Sequence, residues 1–182
     1  FSSRRRHTRY ISVTGVQTCA LPISVLQMTA HGWMTALFFL LIGGMYDQSH
    51  NRDIPNFSGM AKQMPIWSIF FIFAAMASLG LPGLSGFIAE VHIFIGTFRA
   101  YPIVGGLAVL TAAFTATYLI RVLAQAFFGE MNPRWAHLQE ITWTERAGAV
   151  VLALAMLTLG LWPSPWIERI APSIINIPGI TL

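Results

Sequence analysis

The sequence predicts an all-α integral membrane protein, a bundle of four transmembrane spans whose second span is a discontinuous helix. Three observations carry this reading. The chain is 55% apolar and only 10% charged, against about 25% charged in a typical soluble domain. Its apolar residues come in long blocks, as in helices that meet lipid. One of those blocks, residues 65–98, holds three glycines and a proline near its centre. Two short core helices of a soluble protein would also fit that block alone, but the neighbouring spans argue against it.

The N-terminal segment stands apart. Residues 3–9 read SRRRHTR and residues 13–24 read VTGVQTCALPIS. A signal peptide needs an apolar core after its basic start, and Thr14, Gly15, Gln17 and Thr18 interrupt any such core. A basic nucleic-acid arm is a second reading. The better match is the translation of a common sequencing-library adapter, with Tyr10–Ser12 where its variable index lies. Residues 1–23 are therefore expected to be non-native and are set aside. An intact genomic locus encoding them would overturn this. The chain is then expected to be the C-terminal part of a longer protein.

Setting that segment aside removes Arg4, Arg5, Arg6 and Arg9. The basic count drops from eleven to seven, equal to the seven acids, so the formal charge falls from +4 to zero. The high pI then carries no message about nucleic acid. The single cysteine, Cys19, goes too. Thiolate-ligated clusters, disulfides and thiol catalysis are thereby excluded from the rest of the chain.

The first predicted span is 25–46, long enough at about 1.5 Å per residue to cross a core of about 30 Å. A polar stretch, 47–63, follows, with NFSG at 56–59 as a turn. The second block, 65–98, would run about 50 Å as one straight helix, far past the bilayer. Its centre, SLGLPGLSG at 78–86, is a poor helix interior. Two half-helices, about 65–79 and 86–98, are expected to meet at an unwound stretch built on Gly80, Pro82, Gly83, Ser85 and Gly86. Irregular backbone survives at membrane depth only inside protein or beside a wet cavity, and ion-coupled transporters use the device.

A connector, 99–102, leads to the third span, 103–128. Residues 129–146 are polar, and Thr142 or Thr144 is placed to cap the fourth span, 147–162. Pro163 and Pro165 close it. The membrane domain is thus 24–163. The tail, 164–182, is broken by Pro172 and Pro178 and is assigned to the interface. Loops 47–64 and 129–146 carry four basic residues against Arg99 and Arg169 opposite, which puts both loops on the cytoplasmic side. Trp135, Trp143, Trp162 and Trp166 sit near span ends, as interface anchors do.

Glu90, just after the break, is the strongest candidate for chemistry. A carboxylate at membrane depth costs about 3 kcal/mol on insertion scales and marks ion or proton pathways; the structural alternative is a carboxyl that bonds neighbouring helices. His31, in QMTAHGWMTALFF, is the second, since imidazole relays protons near neutral pH; the alternative is a packing histidine. His50 and Arg121 are secondary: an ordinary surface histidine and a snorkelling arginine are the simpler readings. His92 points away from Glu90, and His137 reads as a loop residue. There is no dinucleotide or phosphate loop, no GxSxG elbow, and too few ligands for zinc.

Taken together, SHNRDIPNFSGMAKQMPIWSIFFIFAAMASLGLPGLSGFIAEVHIFIGTF and the upstream TAHGWMTALFFLLIGGMYDQSHNRD resemble the antiporter-like membrane subunits of respiratory complex I, the NADH–quinone oxidoreductase. The acid at Glu90 resembles subunit M and its mitochondrial fourth-membrane-subunit counterpart; sister subunits usually carry lysine there. The resemblance covers about 27–162. It implies the last four spans of a fourteen-span fold with two inverted repeats, Glu90 as the output-side carboxylate of a proton half-channel, and His31 in the central relay. It also implies an enzyme subunit without its own redox centre. NADH, flavin, iron–sulfur clusters and quinone would be handled elsewhere in the complex, and this piece alone would be inactive. Expected partners are other membrane-arm subunits, especially neighbouring antiporter-like ones, together with the bilayer and protons, in a bacterial inner membrane or an equivalent energy-transducing membrane. Related readings are a cation/proton antiporter or membrane-bound hydrogenase subunit; a structural membrane scaffold is the reading from another class.

Overall fold

A computed structural model describes residues 3–175, with side chains over 23–170. Among the described residues seven α-helices follow one another: α1 (Ser3–Ser49), α2 (Met60–Gln63), α3 (Pro65–Ser78), α4 (Ser85–Ala100), α5 (Pro102–Phe127), α6 (Trp143–Leu161) and α7 (Ser164–Ile175). Among the described residues, three stretches are long and apolar enough to cross a membrane: Ile23–Ser49 of α1, α5 and α6. The second predicted span is divided, as expected, into α3 and α4.

The first span differs from its expected bounds. Helix α1 runs unbroken from Ser3, so residue 24 marks no break in helix, and it continues past Tyr46 to Ser49. It ends at His50, which takes the left-handed conformation (φ 49) and donates its N–H to the Tyr46 carbonyl at 2.8 Å. That is a helix-ending cap, usually left to glycine. The side chains of residues 1–22 lie outside the described residues, so the adapter reading is not addressed by packing.

The break follows from its residues. Leu81 N–H bonds the Met76 carbonyl and Gly80 N–H bonds that of Ala77, both at 3.2 Å. With Gly80 at φ +64, these two bonds form a Schellman cap, which ends α3 on a glycine. Pro82 follows and cannot extend the helix. Leu84 then turns extended and opens α4. The break is wedged from behind by α6: a Cβ on Gly160 would run into the backbone of Gly83 and Leu84.

The core lies where α1, α3, α5 and α6 meet. Trp67 of α3 is 2% exposed and donates its indole N–H to the Leu41 carbonyl of α1 at 2.9 Å. Its ring lies nearly parallel to Phe127 of α5, centroids 5.3 Å apart. A second cluster joins Leu26 and Ala30 of α1 to Leu159 of α6, with Ile167 and Ile170 of α7 against it. Trp33 meets Trp166 edge to face, so α7 packs back on the bundle and does not leave it.

The two polar loops share one end of the bundle and interlock, which fits the expectation that they lie on one side. Gln48 and Gln139 exchange two hydrogen bonds. Asn56 O accepts from Asn132 and from the Trp135 indole. The Glu140 carboxylate accepts the Ile66 and Trp67 N–H groups at the start of α3, at 3.0 and 3.3 Å. Thr142, not Thr144, caps α6, in a reciprocal capping box with Glu145. Trp135 corrects the anchor expectation. It is 4% exposed and stacks on Phe57 beneath the loops, because residues 129–142 fold over the core instead of lying at a lipid boundary. Trp143 and Trp162 are exposed.

Candidate functional site

Glu90 stands on the second turn of α4, and its carboxyl folds back toward the break. A Cβ on Gly80 would collide with Glu90 Oε2, and one on Gly86 would lie 3.7 Å from Oε1. Gly80 therefore does two things: it supplies the positive φ of the Schellman cap and leaves room for the carboxyl. The end of α3 that meets this carboxyl is its C-terminus, the negative end of the helix dipole.

The carboxyl lines a cavity of about 240 Å³ between α1, α3, α4 and α5. From α1 come Gln27 and His31; from the break come Ser78, Ser85 and Gly86; from α5 come Thr115 and Tyr118. The sequence-predicted pair, Glu90 and His31, is thus brought to one cavity. His31 is also exposed in this chain, and Thr35 donates its hydroxyl to the His31 carbonyl. The Gln27 side chain is the polar neighbour of the Glu90 carboxyl across this cavity. Its own Oε1 is buried and has no hydrogen-bond partner.

The secondary candidates are not brought to this cavity. His50 caps α1 and sets its ring 5.9 Å from Tyr46. Arg121 is exposed on α5. His92 donates Nδ1–H to the Ile88 carbonyl at 2.6 Å, a packing arrangement. His137 lies in the loop layer beside Trp135. Among the backbone positions, Gly80, Ser85 and Gly86 surround the carboxyl, while Pro82 and Gly83 border a separate apolar groove against Leu157 and Leu161.

Gln27, Thr115 and Tyr118 escaped the sequence reading. For Gln27 a signal exists: it lies four residues before His31, so both side chains share one helix face, and an amide in an apolar span is costly unless bonded. For Thr115 and Tyr118 the spacing of three on α5 is too common a pattern to mark a site. Among the described residues no group of three or more His, Cys, Asp or Glu gathers as metal ligands. The arrangement can hold a proton on Glu90 or His31 and offer it hydrogen-bonding neighbours within one small space.

A profile described as "NADH:quinone oxidoreductase/Mrp antiporter, TM" matches residues 8–115. NADH-quinone oxidoreductase subunit M of Rickettsia conorii is 30% identical over 155 residues, which is 85% of this chain and 31% of that protein. The chain spans about a third of the length of the curated relatives it matches. Among solved structures, respiratory complex I from Thermus thermophilus with bound NADH aligns with TM-score 0.73 at 26% identity, over 84% of this chain and 34% of that one. The Mrp complex from Dietzia sp. DQ12-45-1b aligns with TM-score 0.73 at 21% identity, over 86% and 37%, and so shares the fold. With its broken apolar helix and its multi-pass character, the chain belongs to the NADH:quinone oxidoreductase/Mrp antiporter transmembrane family.

Proposed function

We propose that this chain forms the C-terminal part of a proton-translocating membrane subunit of an NADH–quinone oxidoreductase, of the subunit M type. The observation that carries this reading is the cavity at the break, where Glu90, His31 and Gln27 come together between four helices. Glu90 takes up and releases the proton, and His31 exchanges it along α1. The unwound backbone gives the carboxyl its place, since irregular structure at this depth belongs beside a cavity. Electron transfer from NADH to quinone, with its flavin and iron–sulfur chemistry, belongs to other subunits, and neighbouring antiporter-like subunits flank this one. The loops at 47–64 and 129–146 face the cytoplasm, following their basic residues.

The test uses the full-length subunit in the assembled complex. Glu90→Gln keeps shape and hydrogen bonding but cannot ionise, so NADH–quinone turnover and proton pumping should fall together, by about tenfold or more, the scale of a lost acid–base group. Glu90→Asp should retain more of both. Assembly is checked alongside. Normal turnover and pumping by an assembled Glu90→Gln complex would leave only the scaffold role. The related reading, a subunit of an Mrp-type cation/proton antiporter, is favoured by the shared fold and would show as cation exchange without NADH dependence.

A further inference from the structure

We infer that Gln27 is a positioning residue that ties Glu90 to His31. This rests on the proton-route reading above. Three observations carry it. Gln27 and Glu90 come from different helices, yet both line the small cavity, where the Gln27 amide is the polar neighbour of the carboxyl. Gln27 sits one turn before His31 on α1, so its side chain lies on the face that brings His31 to the same cavity. And its Oε1 is buried with no partner, although buried amide oxygens are almost always bonded.

An amide has two ends of opposite character: Nε2 donates and Oε1 accepts. In this role Nε2 serves Glu90, and Oε1 is left to accept from His31. A protonated His31 donates toward that oxygen, directly or through water, while Glu90 holds the other end. Gln27 does not itself carry the proton. It fixes the carboxyl against Gly80 and sets its separation from the imidazole, on which transfer between the two depends steeply. A leucine of similar bulk would fill the same space between α1 and α4 but could hold neither group.

The experiment again uses the full-length subunit in the assembled complex, with three variants: Gln27→Leu, Glu90→Gln, and the double exchange Gln27→Glu with Glu90→Gln. In Gln27→Leu, turnover and pumping should both fall about tenfold at equal assembly, the scale of a misplaced reacting group. The double exchange moves the carboxyl across the same pair of side chains, and should run several-fold faster than Glu90→Gln alone. A role in packing alone would not produce that rescue. If Gln27→Leu turns over and pumps normally while Glu90→Gln is impaired, the positioning role is wrong and the proton-route reading stands. If Glu90→Gln is itself normal, both fall. If Gln27→Leu does not assemble, the exchange decides: no gain over Glu90→Gln overturns the inference.

Discussion

The loop layer, residues 47–64 with 129–142, and the break at 79–84 both join apolar helices, yet they treat polar groups in opposite ways. In the loop layer, side chains from one segment bond the backbone of the other: Gln48 with Gln139, Gln63 with Ala136 and Leu138, Ser58 with Glu130. Its one acid aimed inward, Glu140, is spent on the two N–H groups that open α3. At the break, the backbone bonds itself through the Gly80 cap. The side chains beside it are left with capacity: a carboxyl on Glu90, an unpartnered oxygen on Gln27, hydroxyls on Ser78 and Tyr118. Saturated networks hold a structure still. Groups with spare bonding capacity at membrane depth are where ion chemistry is carried out.

If that contrast is right, substitutions should separate cleanly by region. The largest effect outside Glu90 itself is expected at Gly80. Gly80→Ala adds a methyl where Glu90 Oε2 sits and strains a left-handed residue by about 1–2 kcal/mol. Turnover of the assembled complex should fall about tenfold or more as the carboxyl is displaced, measured as NADH–quinone activity per assembled complex. Gly160→Ala pushes on the Gly83 and Leu84 backbone from α6. It should cost about 1–3 kcal/mol of stability and lower turnover less, since the carboxyl itself is untouched; thermal unfolding of the purified complex checks it.

The loop layer should respond in stability alone. Glu140→Ala leaves the Ile66 and Trp67 N–H groups without their acceptor, a loss of about 1–2 kcal/mol for a helix cap. Turnover per assembled complex should stay within twofold, the size of a surface change. Gln48→Ala should be the mildest. It removes the pair of bonds to Gln139 for about 1 kcal/mol, read as a small shift in melting temperature with pumping unchanged.

Much of the break was legible in the sequence because its residues act locally. Glycine at 80 and proline at 82 end a helix whatever surrounds them. The capping box at Thr142 was half legible: Thr142 followed by Glu145 is the box spacing, but Thr144 competed for the role. Glu90 stood out because charge at membrane depth is rare. The rest depends on tertiary contact. Gln27 meets Glu90 across 63 residues of chain; its spacing of four from His31 marks a shared helix face, but nothing local points to the carboxyl on another helix. Glu140 was one polar loop residue among many until α3 was folded beneath it. Trp135 looked like a membrane anchor by position alone, and only the fold over Phe57 makes it core.

The most direct measurement sets the two acids side by side: proton pumping into vesicles by assembled complexes carrying Glu90→Gln or Glu140→Gln, normalised to the amount of complex. Both changes remove one carboxylate and keep its shape. The account predicts near-unmodified pumping for Glu140→Gln and a fall of about tenfold or more for Glu90→Gln. Equal pumping by the two variants, or a loss confined to Glu140→Gln, would contradict it.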